Sequence, residues 1–393
     1  MRRALLFQVA ILAGLLGGCG GNFRLPTERR IGAVIPTEQS YAYLGTWTDM
    51  DGIRDLLITQ GTGSQLFILF NHGGTLGPST PRGEVRLYPF TQKVPIGSPI
   101  FDSLLTLFNP TAIASGQNKL FVLDGGDSCM AKFDPVRGTC EADYTHNGRP
   151  SIIWDYSATW RVREYSITGG DTISTFTDTT LAAVSGIASD VAGNVYVSGT
   201  AVVLDTLSTD QRIRARRFVS RIYRYARGPR YAGVTPNDLN MPGASWHRDT
   251  TWVVLDGTGT SSVEDARRMV WTPLRGGAIF LADHGNSKAK LIGTNDLGVG
   301  FVKLDGSETP TGTSFSGPEG VAVDDAGYLY VVDRLNQRVL RYDANGAYVQ
   351  QVNVERNSDN LPLLDPIAVG VDNTLAYVAD FGRAEVIRYQ RRQ

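Results

Sequence analysis

The chain has 393 residues, among them 44 glycines, and a formal net charge of −1 at pH 7. That length holds either two ordinary domains or one large all-β unit. The balanced charge removes any global attraction to nucleic acid or to an anionic membrane surface. Many glycines and long Thr-, Val-, Tyr- and Ile-rich runs favour strands and turns over helices.

The N-terminus is a separate object. Arg2 and Arg3 precede an apolar run, residues 4–16, that is too short to span a bilayer. The run ends in Leu16, Gly17, Gly18 and Cys19, which resembles the lipobox of bacterial lipoproteins. The resemblance implies that residues 1–18 are a signal peptide. It also implies that Cys19 is the lipid attachment point and that the protein sits lipid-anchored in the bacterial cell envelope. Gly20, rather than Asp, after the cysteine favours the outer membrane. An ordinary secretory signal with an incidental cysteine is the alternative. Residues 19–40, rich in Gly, Pro, Thr and charge, read as a tether, and residues 41–393 as the folded domain.

From there a short supersecondary unit repeats. Residues 41–48 form a candidate strand. The first copy runs IRDLLIT, GSQLFILFNHGG and GEVRLYPF, and the second TAIAS and QNKLFVLDGGD. An excursion at 126–157 follows, with Cys129 and Cys140. In an exported protein this pair is most simply a disulfide closing a surface loop; a metal pair is the rival. The third copy is SGIASD, GNVYVSGT and, after a long insertion, SRIYRYARG. The fourth is RRMVWT and GGAIFLADHGNSKAKLI.

The fifth copy is the clearest: Pro318-Glu319-Gly320-Val321-Ala322-Val323-Asp324, then Tyr330-Val331-Val332-Asp333-Arg334-Leu335-Asn336-Gln337-Arg338-Val339. The sixth is IAVGVD and TLAYVADFGRAEVIRYQ. The fifth resembles the NHL repeat, which implies an all-β fold, a β-propeller. Six copies predict six blades, with five or seven as alternatives. A blade this small buries its faces only against neighbours in a closed ring. The last copy has three strands, and residues 41–48 are expected to supply its fourth. VAV- and LYVV-type runs read as buried inner strands, and RVLRY and EVIRY as more exposed third strands. Asp124, Asp283, Asp333 and Asp380, with Asn71 in the first copy, are expected to cap the turn that follows each second strand.

Ligands of such folds sit at the channel mouth, where each innermost strand begins. Aligning the copies puts Arg54, Thr111, Ser185, Arg267, Glu319 and Ile367 there, with Arg54 and Arg267 facing each other across the axis. This mixed rim suits a small anionic or zwitterionic ligand; a solvated rim with an Arg–Glu ion pair is the plain alternative. His72 and His284 hold equivalent turn positions in opposite blades and are weaker candidates. Neither HxH nor HxxxH spacing occurs, and no nucleophile elbow or phosphate-binding loop is present. No catalytic residue, metal or cofactor is therefore assigned. The arginines of 212–230 read either as an anion-binding face or as a solvated outer strand.

The expected function is a non-catalytic binding or scaffold module. Its partner would be a protein, peptide or glycan of the envelope. Membrane contact would run through the lipid alone, with no nucleic acid and a monomeric state. The alternative is a metal-dependent hydrolase or lyase at the mouth, like the lactonases and peptide-amidating lyases of related propellers.

Overall fold

In the computed structural model the described residues are 40–59, 64–72, 83–88, 107, 109–125, 160–167, 172–178, 180–206, 214–227, 246–259, 261–295, 304–354 and 361–392, with short paired stretches between 133 and 150. Cys19, Cys129 and the side chain of Cys140 lie outside them, as do the signal peptide and tether.

The strands in chain order are β1 (Tyr41–Trp47), β2 (Ile53–Ile58), β3 (Leu66–Asn71), β4 (Gly83–Tyr88), β5 (Pro110–Gly116) and β6 (Lys119–Asp124). Four two-residue pieces follow: β7 (Phe133–Asp134), β8 (Thr139–Cys140), β9 (Thr145–His146) and β10 (Arg149–Pro150). Then come β11 (Arg161–Ser166), β12 (Thr172–Phe176), β13 (Leu181–Ser189), β14 (Val195–Thr206), β15 (Arg214–Arg227), β16 (Trp246–Asp256) and β17 (Ser262–Val263). The chain continues through β18 (Ala266–Thr272), β19 (Ala278–Asp283), β20 (Lys288–Gly293), β21 (Pro318–Val323), β22 (Leu329–Asp333), β23 (Arg338–Tyr342) and β24 (Tyr348–Gln351). It ends with β25 (Pro366–Val371), β26 (Leu375–Asp380) and β27 (Glu385–Arg391).

All but the four two-residue pieces make six blades, antiparallel throughout except where β17 lies parallel to β16, and their inner strands are β2, β5, β13, β18, β21 and β25. Each inner strand packs on the next, and β25 packs back on β2, so the ring closes. The fold is a six-bladed β-propeller. Its last blade has the order β1-β27-β26-β25, so the N-terminal strand completes the C-terminal blade as expected. Tyr41 pairs with Arg391 and Trp47 with Val386.

The core is divided among the blade interfaces. Six apolar clusters occur, one between each pair of neighbouring blades. A middle strand is thus apolar on both faces, which is why β3, β19 and β22 are buried along their whole length. The third strands depart from expectation. β23, RVLRY, is buried throughout, because the fourth strand β24 covers its edge and adjacent blades cover its faces. Its two arginines find partners inside the ring. Arg338 Nε lies 2.7 Å from Asp333, and the Arg341 guanidinium stands 3.6 Å over the Tyr328 ring.

The strand-end aspartates are buried caps, but on a different segment. Asp124 accepts the backbone N–H of Asn109, Asp283 that of Glu264, and Asp333 that of Ser316. Asp380 accepts those of Leu364 and Asp365. The donors belong to the loop entering the blade's inner strand, not to the turn that follows. Side chains of that turn take the other oxygen, as Asn286 does on Asp283 and Asn336 on Asp333. Asp283 and Asp333 therefore each tie two loops together.

The long third-blade insertion is an extension of its hairpin, with β14 and β15 paired from Val195–Tyr225 out to Thr206–Arg214. Its described arginine side chains meet acids: Arg217 and Arg221 share Asp256, Arg224 takes Asp249, and Arg227 takes Glu164. Arg212 and Arg230, and the side chains of Arg214 and Arg216, lie outside the described residues.

Candidate functional site at the channel mouth

Every inner strand carries a register slip at the same place, where it enters the blade. The slips fall between Ile53 and Asp55, Pro110 and Ala112, Val184 and Gly186, Ala266 and Met269, Pro318 and Gly320, and Pro366 and Ala368. The slipped residues are Arg54, Thr111, Ser185, Arg267 with Arg268, Glu319 and Ile367. A bulge re-aims a side chain away from the pleat, so one ring of bulges presents the six rim positions read from the sequence.

The residue after each bulge is small in four blades: Ala112, Gly186, Gly320 and Ala368. Inner strands crowd there. A Cβ on Gly186 would stand 1.7 Å from the Arg267 carbonyl oxygen, and one on Gly320 would stand 2.8 Å from that of Ile367. In the first and fourth blades, which face each other across the axis, the residues that follow Arg54 and Arg267 are Asp55 and Arg268. Arg268 Nε lies 3.2 Å from Asp55 Oδ1, and its Nη2 donates to the Arg54 carbonyl. One side chain thus crosses the axis. Asp55 also accepts the backbone N–H groups of Ile113 at 2.9 Å and Leu56 at 2.9 Å. Burial pushes its carboxyl above the ordinary range, opposed by Arg268 and these two N–H groups.

Below this pair runs a channel of about 400 Å³, walled largely by apolar residues such as Ile58, Ile113, Met269, Val321 and Val369. Above it the rim is charged. Arg267 Nη2 pairs with Asp265 at 2.7 Å. Arg334 binds Asp365 through two contacts, at 2.5 Å and 2.8 Å, and its Nη1 is 3.7 Å from Glu319. His284 Nδ1 is 3.4 Å from Glu319 Oε2 and 3.3 Å from the Pro318 carbonyl oxygen. Burial works to raise the Glu319 carboxyl. The contact with His284 and the charges of Arg268, Arg267 and Arg334 outweigh it and hold Glu319 below its usual range. The Glu319 contact in turn raises His284, against burial.

Arg54 differs from the other bases. Its ring contact is with Phe381, 5.0 Å from the guanidinium carbon, and no carboxylate pairs with it among the described residues. Its Nε is buried without a hydrogen-bond partner. Burial, then the nearby Arg268 and Arg334 charges, lower its pKa. This is a cation held among cations.

The structure thus brings together Arg54, Arg267, Glu319 and His284. Arg54 and Arg267 do not themselves meet; Arg268 makes the crossing to the first blade. Thr111 and Ser185 stand at the rim but donate to the Leu123 and Ala266 carbonyls. His72 lies elsewhere, 2.7 Å from Glu84 on the outer strand β4. Sequence reasoning missed Arg268 and Asp55, although the aligned copies show opposite charges in opposite blades in a column otherwise of Ala and Gly. It also missed Arg334 and Asp365, which come from turns outside the inner strands. Among the described residues no three His, Cys, Asp or Glu side chains gather to hold a metal ion.

The fold is similar to a catalytically inactive virginiamycin B lyase from Staphylococcus aureus with quinupristin, at 12% identity, with 90% of this chain and 88% of that chain covered and a TM-score of 0.42. It is also similar to a streptogramin B lyase, at 11% identity, with 90% and 86% covered and a TM-score of 0.41. No family model matches the sequence, and no curated protein matches it.

Proposed function

We propose that the chain is a lipid-anchored protein of the bacterial cell envelope, with NHL-like repeats, whose propeller is a non-catalytic module that binds an anionic ligand at the mouth. The observation that carries the binding reading is the guanidinium of Arg54, which pairs with no carboxylate among the described residues. Arg267, Arg268, Arg334 and His284 each face a carboxylate, whereas the charges acting on Arg54 are two further arginines. A ligand anion would supply the missing charge-assisted hydrogen bonds, in the planar fork geometry that guanidinium offers. The anchor rests on the run from Leu16 to Cys19 and the polar residues after it.

Calorimetric titration of the full chain with acetate tests the seat. Arg54→Gln is expected to weaken binding by about tenfold or more, while Arg217→Gln on the outer ribbon leaves it unchanged. Equal affinity of the Arg54 variant would place the ligand elsewhere. Mass spectrometry of protein from its native compartment tests the anchor, and an unmodified Cys19 would remove it.

A second reading has one observation in its favour, the His284–Glu319 pair, in which an imidazole 3.4 Å from a carboxylate stands at the mouth where an acid–base group would. In this reading the protein is a hydrolase or lyase, metal-dependent in its fullest form. Blank metal content together with no turnover of lactones and esters would eliminate it.

A further inference from the structure

We infer that the anion seat at Arg54 takes an amphipathic monocarboxylate, a small molecule with one carboxylate on an apolar or aromatic body. This rests on the binding reading above and adds the class of ligand.

The charge of the ligand follows from the pairing. Among the described residues, five bases and four carboxylates meet at the mouth: Arg54, Arg267, Arg268, Arg334 and His284 against Asp55, Asp265, Glu319 and Asp365. Each carboxylate faces one of the other four bases, so the guanidinium left without a carboxylate among the described residues is that of Arg54. A single negative charge balances it. A second would be repelled by Glu319 and Asp365, which flank Arg334 next to the seat.

The apolar half follows from what borders the seat. Nine large apolar side chains are exposed among the described residues, and four of them, Leu335, Leu361, Leu364 and Phe381, lie on the loops of the fifth and sixth blades. Three connect to the charged groups of the mouth. Phe381, 37% exposed, carries the Arg54 guanidinium on its ring. Leu364, 51% exposed, is the neighbour that a side chain on Gly382, next to Phe381, would strike at 2.9 Å. Leu335, 69% exposed, flanks Gly317, where an added Cβ would be 3.3 Å from both Leu335 and His284. Apolar surface gathered beside a vacant cation, rather than scattered, is the mark of a ligand surface. A purely polar anion would leave it in water.

The test uses three probes on the full chain by calorimetry: 3-phenylpropionate, acetate and 3-phenylpropanol. The expected order is 3-phenylpropionate tightest, exceeding acetate by about tenfold for the buried ring, with the alcohol weakest. The double variant Leu335→Ser/Leu364→Ser changes only exposed side chains. It should lose most of the phenylpropionate advantage and keep acetate binding. Arg54→Gln should weaken both acids. If acetate and phenylpropionate bind equally and both depend on Arg54, the amphipathic class is wrong and the anion seat stands. If neither depends on Arg54, the binding reading falls with it. If the double variant instead alters sedimentation by breaking a dimer, the apolar loops cover a second copy and the inference is overturned.

Discussion

At the level of single side chains, the Arg268–Asp55 pair shows how a charge is kept at the centre of the ring. Both groups are nearly buried, with side-chain exposures of 11% and 7%, so neither is solvated by bulk water. Arg268→Met would leave Asp55 with two backbone N–H groups and no cation. Breaking a buried pair from one side costs about 3–5 kcal/mol, and that loss is expected in urea denaturation at neutral pH. It should shrink as the pH falls, because a protonated Asp55 needs no counter-charge. Adding Asp55→Asn should restore much of it, since an amide oxygen still accepts a backbone N–H; a double variant no better than the single would place the loss in packing instead. The His284–Glu319 pair predicts a different profile. The raised His284 contributes in full below its ordinary 6.5 and loses that as pH rises through its folded value. The lowered Glu319 contributes above its ordinary 4.5 and loses that as pH falls through its folded value. The stability gap between the natural chain and His284→Asn should therefore peak between those two pH values. A gap flat from pH 5 to 8 in thermal melts would dissociate the two groups. The sequence showed where the rim residues stand because a bulge residue keeps a fixed offset from the strand that follows it. It hid their pairing, since partners such as Asp265 and Asp365 sit in loops whose conformation no periodicity describes.

At the level of strands and turns, legibility depended on whether a pattern reports burial or only chemistry. Continuous apolar runs such as those of β22 and β26 were readable as sandwiched strands because both faces meet apolar neighbours. The two arginines of β23 gave the opposite impression, since charged side chains suggest exposure to solvent. Three residues apart, Arg338 and Arg341 point to opposite faces of the strand, and in the ring each face meets a neighbouring blade. The arginines are tolerated there because each is paired or stacked, with Arg341 also 3.8 Å from Asp324. The strand-end aspartates were legible as caps and misassigned in partner for a related reason. A carboxylate at the end of β19 or β22 is close in sequence to the next turn. It is also close in space to the loop entering the inner strand beside it, and that loop has the free N–H groups. Gly320 is the converse case. Its place in a Pro-x-Gly motif looks like turn chemistry, yet the requirement is the passage of the next inner strand at contact distance.

For the whole molecule, the question is whether stability lies in chain order or in the closed ring. Six interfacial cores of similar make-up argue for the ring, because removing any one blade would strip two of them. The closure is a strand exchange between distant parts of the chain. β1 lies along β27, the Ser40 carbonyl accepts the Arg392 N–H at 2.8 Å, and the Tyr41 hydroxyl meets that of Tyr330 at 2.8 Å. The two ends of the disc are therefore adjacent, and a linker of about three residues spans them. Opening the chain instead between Asn345 and Gly346, in the turn joining β23 to β24, would reproduce the same device in the fifth blade. There β24 would be the new first strand, and β21, β22 and β23 the last three. If the ring is what matters, this permutant of residues 40–392 should melt within about 3 °C of the unpermuted segment, roughly the shift of two kcal/mol in a protein of this size. Deleting residues 40–47 leaves β27 with an open edge and should lower the midpoint much further, with association visible by sedimentation. A permutant as unstable as the deletion would mean that the β1–β27 seam holds something the fifth blade cannot replace. Trp47, stacked on Tyr88 at 5.4 Å and beneath Arg388, would then be the first residue to examine.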